Sequence, residues 1–269
     1  MKQLFHIERG DAENVQQVLS LRLGEKHGSF AITNKTGNEL YELAYCTVEE
    51  WNENSGADFT AAYPALNNSF YRVLIAYDCS KSVLTPASLY KPEESRIFLT
   101  TTQGVLSGHH IISELIAEWQ LYNTYAVPDE MHKWVNQKFP AAKCRHQYSL
   151  AVKRINAANN EGSLLVDFRT DEFTFLVAKG SRLMLAQSFP YSTPEDVAYY
   201  LLKACQQFSL SQKEVSVQLS GLIDKQSSLF KELYQYFINV EFREAGWNTG
   251  SDYPAHFFTS LNDLAQCAS

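Results

Sequence analysis

Apolar and polar side chains alternate along VLSLRLGEKHGSFAITNKTGNELYELAY, from Val18 to Tyr45, and the alternation breaks at Gly24, Gly28 and the polar NKTGNE. A period of two interrupted by turn residues predicts a meander of three antiparallel strands. Thr47 and Glu50 have capping-box spacing and predict a short helix directly afterwards. FYRVLIAY, Phe70–Tyr77, is dense in β-branched and aromatic residues and reads as a buried strand. TPASLYKPEE and RIFLTTTQ read as a turn and a further strand. ISELIAEWQLYNTY carries a helical repeat at Ile112, Leu115 and Ile116 and a strand repeat at Trp119, Leu121 and Tyr125, and is taken as strand. In PDEMHKWVNQKFP, Asp129 is a cap, Met131, Trp134, Val135 and Phe139 share a helical face, and Pro140 follows the end. AKCRHQY reads as a strand and SLAVKRINAANN as a helix.

The second half repeats this grammar. SLLVDFRTDEFTFLVAKGSRLMLAQSF, Ser163–Phe189, is three strands joined by two tight turns. TPEDVAYYLLKACQQFS is a helix with Thr193 as cap, Pro194 at its first position and acids in its first turn. EVSVQLSG is a buried strand, and KQSSLFKELYQYF is an amphipathic helix through Leu229, Leu233 and Phe237. Arg22 and Asp167 hold the same place near the ends of the two leading strands, and the ends of the buried strands, Tyr77 and Ser220, follow at nearly equal intervals. Matching order at matching spacing predicts a duplication, with lobes at 1–150 and 151–269 and a helical crossover making the last strand of each unit parallel to the first.

With 269 residues, 45% of them hydrophobic, the chain can bury sizeable cores. Its formal net charge of -7 repels a phosphate backbone or anionic membrane, and its cations are scattered singly, so no nucleic acid is expected as a partner. No window approaches a membrane span, and MKQLFHIERGDAENVQQ lacks the apolar run of a secretory leader, so membrane insertion is not expected. Five cysteines, odd in number and never spaced C-x-x-C, point to reduced thiols and a cytoplasmic location.

VLTPASLY, YAVPDEM, LLVDF, VQLSGLI and the terminal YPAHFFTSLNDLAQC resemble a bacterial family of uncharacterised function. That resemblance implies an α/β, two-lobed, duplicated ribonuclease H-like (actin-like ATPase) fold with mixed sheets flanked by helices. In the wider superfamily the first hairpin reads D-x-G and the second D-x-G-x-G-T, because phosphates approach bare backbone and a carboxylate holds Mg²⁺. Here the first hairpin reads Arg22, Leu23, Gly24, a cation in place of the acid that reverses the local charge. The second keeps Asp167 but has Arg169 and Asp171 where glycines belong, with Thr170 between them and Glu172 next. Ser220 and Gly221 match the strand end that contacts adenosine, with one glycine of the usual two.

Arg22, Gly24, Asp167, Arg169, Thr170, Ser220 and Gly221 are therefore the residues of a degenerate nucleotide cleft. The expectation is a non-catalytic binding or scaffold protein with a protein partner and no cofactor. The alternative is an active ATPase or phosphotransferase using ATP and Mg²⁺, with Asp167 as the metal-side carboxylate. Arg22 and Arg169 either replace the divalent ion as clamps on an anion, or face solvent or pair with Asp167, Asp171 or Glu172.

Other chemistry is thinly represented. In SGHH, Ser107–His110, neighbouring strand side chains point apart and cannot share a proton. Lys143 and Arg145 flank Cys144 but face away from it on a strand, which predicts a structural thiol. His6, His27, His132, His146 and His256 show no metal-ligand spacing, so no metal is expected. YQYF and DYPAHFF hold more aromatics than one buried face needs and offer partner surface.

Overall fold

The computed structural model describes residues 1–10 and 16–268. It divides into two compact units: Met1–Ser149 with Trp247–Ser251 and the chain from Leu261, and Leu150–Gly246 with Asp252–Ser260.

In chain order the first unit contains β1 (Lys2–Glu8), β2 (Gln17–Gly24), β3 (His27–Asn34), β4 (Leu40–Thr47), α1 (Ser55–Ala62) and β5 (Arg72–Asp78). It continues through β6 (Ser82–Pro86), α2 (Ser95–Gln103), β7 (His109–Ile116), β8 (Leu121–Pro128), α3 (Asp129–Lys138), β9 (Lys143–His146) and the start of α4 (Gln147–Ala151). The main sheet has the order β1-β4-β3-β2-β5-β9. The meander β2–β3–β4 is antiparallel, and β5 returns parallel to β2 after α1. Leu19, Leu21 and Leu23, which share one face of β2, form a single core with Phe59 of α1 and Met131 and Val135 of α3, and β2 is buried almost throughout. A separate antiparallel sheet, β6-β8-β7, carries α2, with Leu99, Leu106 and Ala126 as its small core.

The second unit contains β10 (Ser163–Phe168), β11 (Glu172–Lys179), β12 (Arg182–Pro190), α5 (Pro194–Gln207), β13 (Ser216–Gly221), α6 (Ser228–Tyr236), β14 (Asn239–Phe242) and the first turn of α7 (Thr259–Ala265). Its sheet order, β12-β11-β10-β13-β14, reproduces β4-β3-β2-β5-β9, with β10 parallel to β13 as β2 is to β5. Val197, Leu201 and Cys205 of α5 and Leu229 and Leu233 of α6 cover Leu164, Val166 and Val217.

Several local expectations are corrected. Thr47 does not cap a helix: it closes β4, paired with both Lys2 and His27, and α1 begins only at Ser55 without a side-chain cap. The intervening chain is pinned by Trp51, whose Nε1 donates to the Gly24 carbonyl at 2.8 Å. RIFLTTTQ is helix α2 rather than strand. Thr100, Thr101 and Thr102 each donate to a carbonyl four residues back, and this satisfies their hydroxyls inside the helix despite their β-branching. Helix is confined to Gln147–Ala151 at the start of the expected SLAVKRINAANN helix. Asp129 is the first residue of α3 rather than its cap, which is Pro128. Strands β1 and β14 carry no expectation from the pattern.

Candidate functional site

In the first unit the parallel register sets Arg22 opposite Ala76 and Gly24 opposite Asp78, so the end of β5 delivers a carboxylate beside the Arg22 guanidinium. Arg22 Nε donates to Asp78 Oδ2 at 2.8 Å, and Nη2 lies 2.7 Å from the same oxygen. His27 Nε2 is 3.1 Å from it as well. Arg22, Asp78 and His27 are only 4%, 2% and 2% exposed, and charges this deep persist only when paired. The expected reversal of local charge is therefore corrected: the cation at position 22 is matched by Asp78, with His27 completing the cluster.

Gly24 does leave bare backbone, but this chain's own side chain uses it. A Cβ there would lie 2.1 Å from the His27 ring. That ring also stacks on Tyr45, with centroids 5.6 Å apart and planes within 3°.

In the second unit Asp167 is 5% exposed and opposite Ser220. Its Oδ1 accepts from Ser220 Oγ at 2.8 Å and from Ser260 Oγ, at the start of α7, at 2.9 Å. Arg169 is 2% exposed. Its guanidinium donates to Glu172 at 2.9 Å, Thr174 at 2.9 Å and Ser188 at 3.2 Å, which ties the β10–β11 turn to β12. Tyr191 Oη donates to the Arg169 carbonyl at 2.9 Å, and burial raises the Tyr191 pKa. Thr170, between them, is exposed. Gly221 has φ +80°, and a Cβ on it would meet the Phe168 carbonyl oxygen at 2.2 Å. Its glycine is demanded by the approach of β10 and by a left-handed backbone.

The structure thus brings Asp167 and Ser220 together and puts Arg22 and Gly24 in a single neighbourhood. The residues that sequence reasoning missed are the partners, Asp78, His27 and Ser260. One signal for Asp78 existed: it is the only charge at the end of a strand otherwise apolar from Val73 to Tyr77.

The remaining constellations resolve into structure. His109 and His110 diverge, His109 to the Ser107 carbonyl at 2.8 Å and His110 to a stack on His132 at 4.0 Å. The Cys144 thiol is pushed up by burial, the direction of an unreactive group. All five cysteines are thiols rather than disulfides. Among the described residues no helix is long and apolar enough to cross a membrane.

A strand order used twice, with a parallel pair at the heart of each sheet, defines an actin-like ATPase fold. A protein of that fold and unknown function from Bacteroides thetaiotaomicron aligns with a TM-score of 0.80 at 19% identity, over 96% of this chain and 100% of that one. The chain belongs to the family described as "Protein of unknown function (DUF3822)", whose model matches residues 11–240. A PilM-PilN type IV pilus biogenesis complex aligns with a TM-score of 0.61 at 11% identity, over 93% of this chain and 98% of that one. No curated protein matches.

Proposed function

We propose that this protein is a non-catalytic binding or scaffold protein that works through a protein partner on an actin-like ATPase fold whose nucleotide elements are degenerate. The observation that carries the reading is the buried Arg22–Asp78–His27 cluster: a guanidinium stands where the resemblance requires a metal-holding acid, and an imidazole fills the space over Gly24 where a phosphate would come. The other elements agree. Asp167 already accepts two seryl hydroxyls, the Arg169 guanidinium is engaged by Glu172, Thr174 and Ser188, and Arg22 is engaged by Asp78, all of which supports structural roles for the two arginines over clamps on an anion. These residues do not fit Mg·ATP.

Thermal unfolding with and without millimolar Mg·ATP tests this. A bound nucleotide at a hundredfold excess over Kd adds about 2.7 kcal/mol, whereas no shift is expected here. A magnesium-dependent rise in Tm that Asp167→Asn removes would replace this proposal with the active ATPase.

We infer that the partner surface lies on the β6-β8-β7 sheet. There an apolar groove of about 250 Å³ runs between the sheet and α2, lined by Leu84, Pro86, Leu89, Tyr90 and Phe98, with Leu89 69% exposed. Exposed apolar side chains around a concave site are the ordinary mark of a docking surface for an apolar peptide segment. The similarity to PilM, solved as a complex with PilN, is in keeping with a protein partner. The net charge of -7 supports the exclusion of nucleic acid, and the reduced thiols support a cytoplasmic location.

A further inference from the structure

Strand β1 carries His6-Ile7-Glu8, and strand alternation puts His6 and Glu8 on one face. The antiparallel register sets Glu8 directly opposite Glu42 of β4 and His6 opposite Ala44, which makes Glu42 the diagonal neighbour of His6. Two carboxylates facing each other across adjacent strands repel, so the pair favours a cation between them.

The three donor groups are already gathered. His6 Nε2 lies 2.9 Å from Glu42 Oε1 and 3.4 Å from Glu8 Oε1, and all three donor atoms fall within 4.8 Å of one another. Metal–ligand bonds of about 2.0–2.2 Å put neighbouring donor atoms of one coordination shell roughly 3 Å apart, close to both distances from His6 Nε2. Glu8 and Glu42 also open onto a polar cavity of about 140 Å³, whose wall adds Gln17, Tyr41 and Asn68. A water occupies roughly 30 Å³, so the cavity has room for several waters beside an ion.

We propose that His6, Glu8 and Glu42 form a site for a divalent transition-metal ion of the zinc type, its coordination completed by water from this cavity. One imidazole and two carboxylates suit a borderline ion. Mg²⁺ and Ca²⁺ favour shells made of oxygen alone. The ion would lie against β1, the edge strand of the six-stranded sheet, and would clamp it to β4 through a ligand on each strand. A metal-free cluster, with His6 hydrogen-bonded to Glu42, is the competing arrangement.

Titration calorimetry of Zn²⁺ into the chelator-stripped full chain separates the two, with thermal unfolding alongside. One saturable equivalent of Zn²⁺ is expected, raising Tm, and chelator reverses the rise. The Glu8 side chain is 70% exposed, so Glu8→Gln leaves the fold intact and weakens binding by more than the roughly 10–100-fold that follows loss of an outer partner. Glu42→Gln acts in the same direction, and Mg²⁺ at equal concentration produces no rise. Zn²⁺ uptake of unchanged strength in Glu8→Gln and His6→Gln would mean an adventitious ion only, held elsewhere, for instance by the exposed Cys267, and would overturn the assignment. Absence of saturable uptake by the unaltered chain would overturn it equally and leave the metal-free cluster.

Discussion

Asp78 is the residue on which the first unit's ionic core turns, since its Oδ2 accepts from Arg22 and lies 3.1 Å from His27 Nε2. Removing one member of a buried pair costs far more than replacing the whole pair, because the survivor is left charged in a dry place. Asp78→Ala is therefore expected to destabilise by about 3–5 kcal/mol, while Arg22→Met with Asp78→Leu recovers most of that loss. Urea denaturation of the two variants checks the contrast; equal losses would show that the ion pair is not what the site needs. The sequence made Arg22 legible as a departure from the expected acid but could not supply its partner, which lies 56 residues away. Only parallel pairing of β2 with β5 brings the two together. Ser260 was hidden for the same reason, 93 residues from Asp167.

At the level of elements, α5 is the helix whose start was fully written in local chemistry. Thr193 Oγ1 accepts from the Asp196 backbone N–H, and the Asp196 carboxylate accepts from the backbone N–H groups of Ser192 and Thr193. Those two backbone donors hold the Asp196 carboxyl below its ordinary 3.8, the Ser192 bond first. A depressed carboxylate contributes stability that is present above pH 3.8 and lost as the pH falls through the lowered value. Thr193→Ala is expected to cost about 1 kcal/mol at neutral pH. Asp196→Asn is expected to flatten the acid limb of a stability–pH curve, and an unchanged limb would refute the capping role.

By contrast α2 was unreadable as a helix, because three consecutive threonines carry strand propensity and their back-bonds to the preceding turn form only once the helix exists. The Thr47–Glu50 spacing misled in the opposite way: a valid local motif lost to the ladder that pairs Thr47 on both sides.

For the molecule as a whole, the duplicated strand order was legible because meander, helix and buried strand recur in one sequence order. The order of a sheet survives even where residues do not. What the pattern could not reveal was the extra sheet β6-β8-β7 as a separate body, since its strands alternate like any others. The groove on that sheet carries the expectation of a partner, and Leu89 and Phe98, 69% and 47% exposed, can be changed without opening a core. A protein that co-purifies with the unaltered chain is expected to be lost from the Leu89→Asp, Phe98→Asp variant and kept by Tyr199→Asp, whose side chain is 61% exposed elsewhere. Retention by the groove variant would remove the surface from consideration.

The imidazole lodged over Gly24 also limits which residues position 22 can hold. An acid in place of Arg22 would face Asp78 almost out of reach of solvent, two like charges with His27 as the nearest imidazole. Arg22, His27 and Asp78 therefore constrain one another: a change of charge at one is tolerated only with a matching change at another.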